Sequence, residues 1–253
     1  SGNRLRHALE ECRYLPIGGT AIGTGLNSSR SFARRLLWEI SGETGLSFGG
    51  GRHRFAGIAA RDESLALMGS LNGLAVVYMK IAQDLRLLSA GPKGGPAEIR
   101  LPALQPGSSI MPGKVNPVIP EMVIQACTFV MGKHVSVTVA AQNSPLQLNI
   151  MQPLIAHELL VSIDLLCRVS RRLRIKAIEG MEADVGRCRR WVEESLALVT
   201  PLAKRIGYDR AAELAHRACE QDRPLFEVVT EENLMPDDEL RRLLDPSSML
   251  GPF

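Results

Sequence analysis

A long run of sequence without proline places the strongest constraint on how this chain folds. Between Ala59 and Leu88, apolar side chains recur at spacings of three and four residues, which is the pattern of an amphipathic α-helix. At 1.5 Å per residue such a helix is about 45 Å long, well beyond the three or four turns of an average helix. A helix of this length needs neighbours along its whole length, so the pattern predicts a long helix bundle.

Two further long helices are predicted downstream. The first runs from about Pro120 to Gln142 and is apolar on most sides, which is typical of a helix buried in the middle of a bundle. The second runs from about Met151 to Lys176 and is amphipathic. Only 4% of the residues are aromatic, which favours helices packed by aliphatic side chains. We therefore predict an all-α protein.

Beyond Gly180 the pattern changes to short, charged helical segments separated by prolines. The sequence therefore predicts two domains, a central helix-bundle domain over residues 1–180 and a small C-terminal helical domain over residues 181–253.

The 30 basic and 27 acidic residues are balanced along the chain, which argues against nucleic acid or a membrane surface as a partner. No run of about 20 apolar residues and no secretion signal is apparent, so a cytoplasmic protein is expected.

Metal and disulfide sites are not predicted. The five cysteines are widely spaced and form no Cys-x-x-Cys pair. His157-Glu158 begins like a zinc-protease motif, but position 161 is Val and not His. We expect neither a metal nor an organic cofactor.

The loop from Gly107 to Pro117 carries the candidate chemistry, with the sequence Gly-Ser-Ser-Ile-Met-Pro-Gly-Lys-Val-Asn-Pro. Ser108 and Ser109 supply hydroxyls and amide donors, Lys114 supplies a positive charge, and Asn116 supplies an amide that can orient a carboxylate. These groups predict a site for a small anion. A rigid polar turn between two helices is the alternative interpretation of the same residue types.

This loop resembles, residue for residue, the signature loop of the fumarase/aspartase superfamily. The segments Gly18–Asn27, Asp84–Pro92 and Gln147–Asn149 are also similar to segments of that superfamily. The glycines of the first segment independently predict a loop whose backbone passes close to another group. The resemblance implies a homotetramer whose long helices merge into a central bundle, with each active site assembled from three subunits and a small dicarboxylate as substrate.

The resemblance also implies roles for individual residues. Ser108 would be the general base that removes a proton from the carbon next to a carboxylate. Ser109, Lys114, Val115 and Asn116 would bind the substrate carboxylate. Glu121 would support the loop from behind, and the loop would close over substrate by hinging near Gly107 and Gly113.

The chain lacks other features of that superfamily. Its members are nearly twice as long, and their upstream half contains a Thr-His pair that contacts substrate. None of the five histidines here follows a threonine. We therefore expect the chain to correspond to the C-terminal half of such a lyase.

The flanking segments bear on which lyase this is. Asp84–Ser89, Val115–Glu121 and Leu146–Asn149 look more like aspartases, whereas Met131–Val135 resembles a fumarase segment with Lys133 where Asn is usual. Gly49–Asp62 departs from both. The main prediction is aspartate ammonia-lyase, in which Ser108 removes a Cβ proton from L-aspartate, ammonia leaves and fumarate forms. The alternatives are class II fumarate hydratase and a non-catalytic helical scaffold.

Overall fold

A computed structural model describes residues 1–51, 53–105, 107, 111 and 113–250. Helices dominate these residues, which confirms the predicted all-α class. The helices are α1 (Gly2–Glu11), α2 (Arg30–Thr44), α3 (Arg54–Ala59), α4 (Asp62–Leu88), α5 (Val118–Gln142), α6 (Gln152–Leu173), α7 (Val185–Glu193), α8 (Val199–Ile206), α9 (Tyr208–Glu220), α10 (Leu225–Glu231) and α11 (Asp237–Leu243). A π-helical turn (Arg174–Ile178) follows α6, and 3-10 turns cover Leu196–Leu198 and Pro246–Met249.

Among the described residues, four two-residue strands form two small ladders. β1 (Tyr14–Leu15) pairs in parallel with β2 (Gly49–Gly50). β3 (Ile99–Arg100) pairs antiparallel with β4 (Glu182–Ala183). The chain divides into two compact units, one of residues 1–90 and 101–181, the other of residues 91–100 and those from Glu182 onwards. Residues 91–100 therefore group with the C-terminal helices, although the division predicted from sequence places them with the bundle.

The first unit is built on α4, α5 and α6, which pack against one another, and α1 packs on α4. The apolar stripe of α4 supplies Met68 and Ala75 to the core, and α5 supplies Val123, Val130 and Val137. All five are fully buried. The predicted bundle is confirmed, and its core consists of aliphatic side chains at helical spacing.

The first long helix begins later than its apolar pattern suggests. Arg61 adopts a left-handed conformation (φ 60°) and separates α3 from α4. Asp62 and Glu63 occupy the first turn of α4, where negative charge suits the helix dipole. Pro120 lies in the first turn of α5, where the missing N–H has no intrahelical partner to lose.

Much of the apolar surface of the bundle is exposed in the single chain. Val76 on α4, Val135 on α5 and Leu160 on α6 are 50%, 62% and 68% exposed. α4 and α5 are long and apolar enough to cross a membrane by length and composition alone, a test that core helices of soluble proteins also pass. The expectation that α5 is enclosed on most sides is therefore not met within one chain.

The second unit has its own core, to which α8, α9, α10 and α11 contribute Leu202, Leu214, Val228 and Leu240. Ion pairs surround this core. Glu232 Oε1 lies 2.6 Å from Arg217 Nη1, and hydrogen bonds from Arg217 and Arg210 lower the pKa of the Glu232 carboxyl.

Candidate functional site

The predicted catalytic loop lies in residues 101–117, the part of the first unit that leads into α5. Ser108 and Ser109, together with Pro106, Ile110 and Pro112, lie outside the described residues. The residues that are described show how the loop is closed. Lys114 N donates a hydrogen bond to Met111 O at 3.2 Å, which forms a tight turn at the end of the loop.

Two glycines define the neck of this loop. Gly107 has φ +123° and Gly113 has φ +83°, conformations that side chains other than glycine rarely adopt. A Cβ on Gly107 would lie 3.0 Å from Gly113 N and 3.5 Å from both N and O of Lys114. The backbone therefore doubles back on itself, so that residues 107 and 113 adjoin and the serine-bearing segment lies between them in sequence.

The remaining predicted residues lie in the irregular segment that leads into α5 and in the first turn of α5. Lys114 and Val115 are exposed, whereas Asn116 is half-buried and its carbonyl accepts a hydrogen bond from Val118 N at 2.8 Å. Glu121 is half-buried in the first turn of α5, where its N–H donates to Pro117 O at 3.1 Å. Lys114 thus lies four positions before Val118, the first residue of α5, and a positive charge near a helix N-terminus favours an anion. The individual roles of these residues stay predictions.

Asn149 has an architectural role that its sequence context did not reveal. The residue is buried, and its Nδ2 donates to Ala140 O and Ala141 O at 3.1 and 3.2 Å. Its Oδ1 accepts from Met151 N at 2.8 Å. One side chain therefore caps the last carbonyls of α5 and holds the start of α6, which explains an Asn at this position without a contact to substrate.

The glycine-rich segment Gly18–Asn27 packs closely against Arg54 and Phe55, two contacts that were not predicted from the sequence. A Cβ on Gly23 would clash with Phe55 at 2.8 Å, and a Cβ on Gly25 would lie 3.1 Å from Nη1 of Arg54. The predicted close approach is thus to the side chains at the start of α3. The only sequence signal was the glycine content, which indicates a close approach but not what is approached.

A buried ion pair joins α5 to α6. Lys133 Nζ lies 2.8 Å from Oε2 and 3.1 Å from Oε1 of Glu158. The side chain of Glu158 is 6% exposed, and the Lys133 ammonium also lies 4.7 Å from the ring centroid of Phe129. The unusual lysine noted in the sequence therefore has a partner on the neighbouring helix.

In the part of the chain that the structure describes, no group of three or more His, Cys, Asp or Glu residues could hold a metal ion. A groove of about 1150 Å³ lies in the second unit, with Lys93, Glu98, Arg187 and Trp191 in its lining. None of the site residues predicted from sequence lines that groove.

Comparison with known proteins identifies the family. A model described as "Lyase" matches residues 1–132, and a model described as "Fumarase C C-terminus" matches residues 198–251. The chain belongs to the fumarase/aspartase superfamily. The predicted resemblance to this superfamily is confirmed.

Named relatives narrow this assignment. A class II fumarate hydratase of Xylella fastidiosa is 48% identical over 246 residues, which is 97% of this chain and 52% of that protein. A solved structure of a fumarate lyase from Brucella melitensis bound to cobalt superposes with TM-score 0.94 at 42% identity, covering 99% of this chain and 54% of that one. A class II fumarase of Schistosoma mansoni gives TM-score 0.93 at 35% identity, with 98% and 55% coverage. The chain spans about half the length of the curated relatives it matches.

The prediction of aspartate ammonia-lyase is wrong on these findings. The Xylella fastidiosa and Schistosoma mansoni proteins, which match 97% and 98% of this chain, are named as a class II fumarate hydratase and a class II fumarase, and the alternative that the sequence left open fits them better. In the predicted mechanism the serine loop removes a proton, and this step is the same whichever group leaves, so the sequence of the loop does not identify the leaving group. The comparisons support a lyase of this superfamily, and they do not support aspartate ammonia-lyase specifically.

Proposed function

We propose that this chain carries the serine-loop part of a class II fumarate hydratase, which interconverts L-malate and fumarate. The observation that carries the proposal is the 48% identity to a class II fumarate hydratase over 97% of the chain. The doubled-back loop between Gly107 and Gly113 supports it, because it brings the flanks of the serine segment together ahead of α5.

In the proposed reaction, the Ser108 alkoxide removes a proton from the methylene carbon of L-malate. The electron pair of the broken C–H bond is first delocalised into the adjacent carboxylate. It then forms the C=C bond of fumarate as hydroxide departs from the neighbouring carbon, taking up a proton to leave as water. A serine hydroxyl is a very weak acid, so its alkoxide needs amide donors and a nearby positive charge, and Lys114 is the candidate for that charge.

Substrate binding in this proposal uses the rest of the predicted set. Ser109, Lys114, Val115 and Asn116 bind one carboxylate of the dicarboxylate, and Glu121 holds the loop from the first turn of α5. The exposed ammonium of Lys114 and the adjacent helix N-terminus support carboxylate binding at this point. We expect no organic cofactor and a cytoplasmic location.

We also propose that the chain assembles as a homotetramer through the bundle. The support is the exposed apolar surface of three long helices, on which Val76, Val135 and Leu160 are at least half exposed. Apolar surface of this extent on packed helices favours association with further helices. Light scattering on the purified protein tests this, and a monomer would contradict it.

The activity is tested on the protein expressed from its full coding sequence, by following fumarate at 240 nm with L-malate and, separately, with L-aspartate. We expect turnover of L-malate only, and loss of that turnover in Ser108→Ala with the oligomer intact. Ser47→Ala, at an exposed serine outside the loop, is the matched control and should behave as the parent protein. Turnover retained by Ser108→Ala would refute the base assignment, and inactivity with both substrates would favour the scaffold.

A further inference from the structure

The groove in the second unit has the size of a ligand site. Its volume of about 1150 Å³ is comparable with the roughly 300 to 1,000 Å³ of pockets that hold small molecules. Its lining comes from two pieces of chain, the segment that leads into β3 and the start of α7, which the β3–β4 ladder holds side by side. The groove therefore has walls that are fixed by the fold of this unit.

Trp191 supplies an apolar wall of the groove. Its Nε1 donates a hydrogen bond to Pro96 O at 2.9 Å, which fixes the indole against the segment before β3. The residue is nevertheless 44% exposed, and Pro92 and Pro96 line the groove with it. A fixed and partly exposed indole offers apolar area to a ring of a ligand without having to be ordered first.

The groove is also lined by five charged side chains, those of Lys93, Glu98, Asp184, Arg187 and Arg190. Two of them already have partners outside the lining. Asp184 Oδ2 lies 2.8 Å from Arg100 Nη2, and Arg190 Nε lies 2.7 Å from Oε1 of Glu194. These two ion pairs leave little net charge for a ligand.

The other three charges are not paired. The side chains of Lys93, Glu98 and Arg187 form no hydrogen bond or ion pair with any residue that the structure describes. Arg187 and Glu98 are half-buried, so solvent screens their charges only in part. Two unpaired cations and one unpaired anion leave the groove with a single surplus positive charge.

Charge and shape together select a class of ligand. A concave site with apolar walls strengthens the attraction of its surplus charge for an anion. The planar fork of Arg187 matches the two oxygens of a carboxylate, and the indole of Trp191 suits a flat ring. A single surplus charge suits a monoanion, because the second charge of a dianion would meet the Glu98 carboxylate.

We propose that this groove binds a small aromatic carboxylate. The carboxylate pairs with the Arg187 guanidinium and the Lys93 ammonium, and the ring lies against Trp191. Glu98 disfavours dianions by repulsion. The site does not depend on the proposed hydratase activity, and none of its residues belongs to the serine loop.

The test is calorimetric titration of the 253-residue chain with naphthoate, a flat ring system that carries one carboxylate. We expect saturable binding. Arg187→Gln should weaken it about tenfold or more, as loss of a charge-assisted pair does, and Trp191→Leu should weaken it several-fold. Glu98→Gln should strengthen it several-fold, which a merely structural role of Glu98 would not produce.

Three further probes separate the contributions of ring and charge. Naphthalenemethanol keeps the ring without the charge, acetate keeps the charge without the ring, and naphthyl phosphate in its dianionic form adds a second charge. Each should bind more weakly than naphthoate. Glu98→Gln should narrow the difference between naphthyl phosphate and naphthoate.

Matched variants control for general charge and for the serine loop. Arg189→Gln removes an exposed charge of α7 outside the lining and should leave naphthoate affinity unchanged. Lys114→Gln, in the serine loop, should also leave it unchanged. If Arg187→Gln or Trp191→Leu does not fold by circular dichroism, Arg187→Lys should weaken binding several-fold, and Trp191→Phe, which keeps a ring, should retain most of it.

Several results would overturn the proposal. These are no naphthoate binding, unchanged binding in the Arg187 variants, and an equal loss in Arg189→Gln. Weaker binding in Glu98→Gln, or naphthyl phosphate binding tighter than naphthoate, would exclude selection of a monoanion. Equal binding of naphthalenemethanol would show that charge has no part, and a loss in Lys114→Gln alone would place naphthoate at the serine loop.

Discussion

Replacing Asn149 tests whether this residue is structural, as its contacts indicate. In Asn149→Ala, three hydrogen bonds disappear, leaving the carbonyls of Ala140 and Ala141 and the N–H of Met151 without their side-chain partner. A hydrogen bond contributes about 1 kcal/mol net, so the free energy of unfolding should fall by about 3 kcal/mol. With a urea slope of roughly 3 kcal/mol per molar, the midpoint should fall by about 1 M.

A second substitution at the same site distinguishes hydrogen bonding from volume. Asn149→Asp keeps the shape and the acceptor, but it turns an oxygen towards two carbonyl oxygens and buries a charge. Because the side chain is buried, we expect this variant to be less stable than Asn149→Ala. Gln147→Ala, at an exposed residue of the same loop, is the control and should change the midpoint little.

Urea unfolding followed by circular dichroism measures all three variants. A loss below about 0.5 kcal/mol in Asn149→Ala, the range of ordinary surface substitutions, would refute the structural role. It would also mean that the three hydrogen bonds of Asn149 contribute little to the free energy of unfolding.

The ion pair and the loop neck give further predictions. Lys133→Met should lower the free energy of unfolding by about 3 to 5 kcal/mol, because Glu158 would be left buried and unpaired. Adding Glu158→Leu should restore most of this loss. Urea midpoints measure both variants, and a double variant no more stable than Lys133→Met would contradict the pairing. Because the pKa of Glu232 is lowered in the folded protein, its stabilising contribution is complete above the ordinary value of 4.5 and is lost as pH falls through the folded-state value. Acid unfolding followed by circular dichroism should therefore begin at higher pH in Glu232→Gln than in the parent protein, and an unchanged onset would contradict the stabilising role of this carboxylate. Gly107→Ala should reduce L-malate turnover more than Gly113→Ala, because only the first adds a steric clash to the unfavourable φ; equal losses would refute the neck geometry.

Local periodicity made the bundle predictable. The spacing of apolar residues from Ala59 to Leu88 follows from the 3.6-residue turn, and α4 indeed occupies Asp62–Leu88. Arg61 escaped prediction because a left-handed residue at a helix start leaves no mark on the apolar pattern.

The candidate site was predictable to a different degree. The loop was identified because the order of its glycines, prolines, serines and lysine resembles the signature loop of the fumarase/aspartase superfamily. The leaving group was assigned wrongly because the flanking segments pointed to both subfamilies, and the segments that resemble aspartases were given more weight than Met131–Val135. Arg54 was missed because its neighbours in space, Gly18 and Gly25, are distant from it along the chain.

The sequence by itself therefore determined the helical class, the long helices and the superfamily. All of these depend on interactions between residues a few positions apart. Only the tertiary structure decided that Asn149 ties α5 to α6, that Lys133 pairs with Glu158, and that Gly25 approaches Arg54. Each of these contacts joins different helices or loops, and its free energy depends on burial, which exists only once the helices have packed.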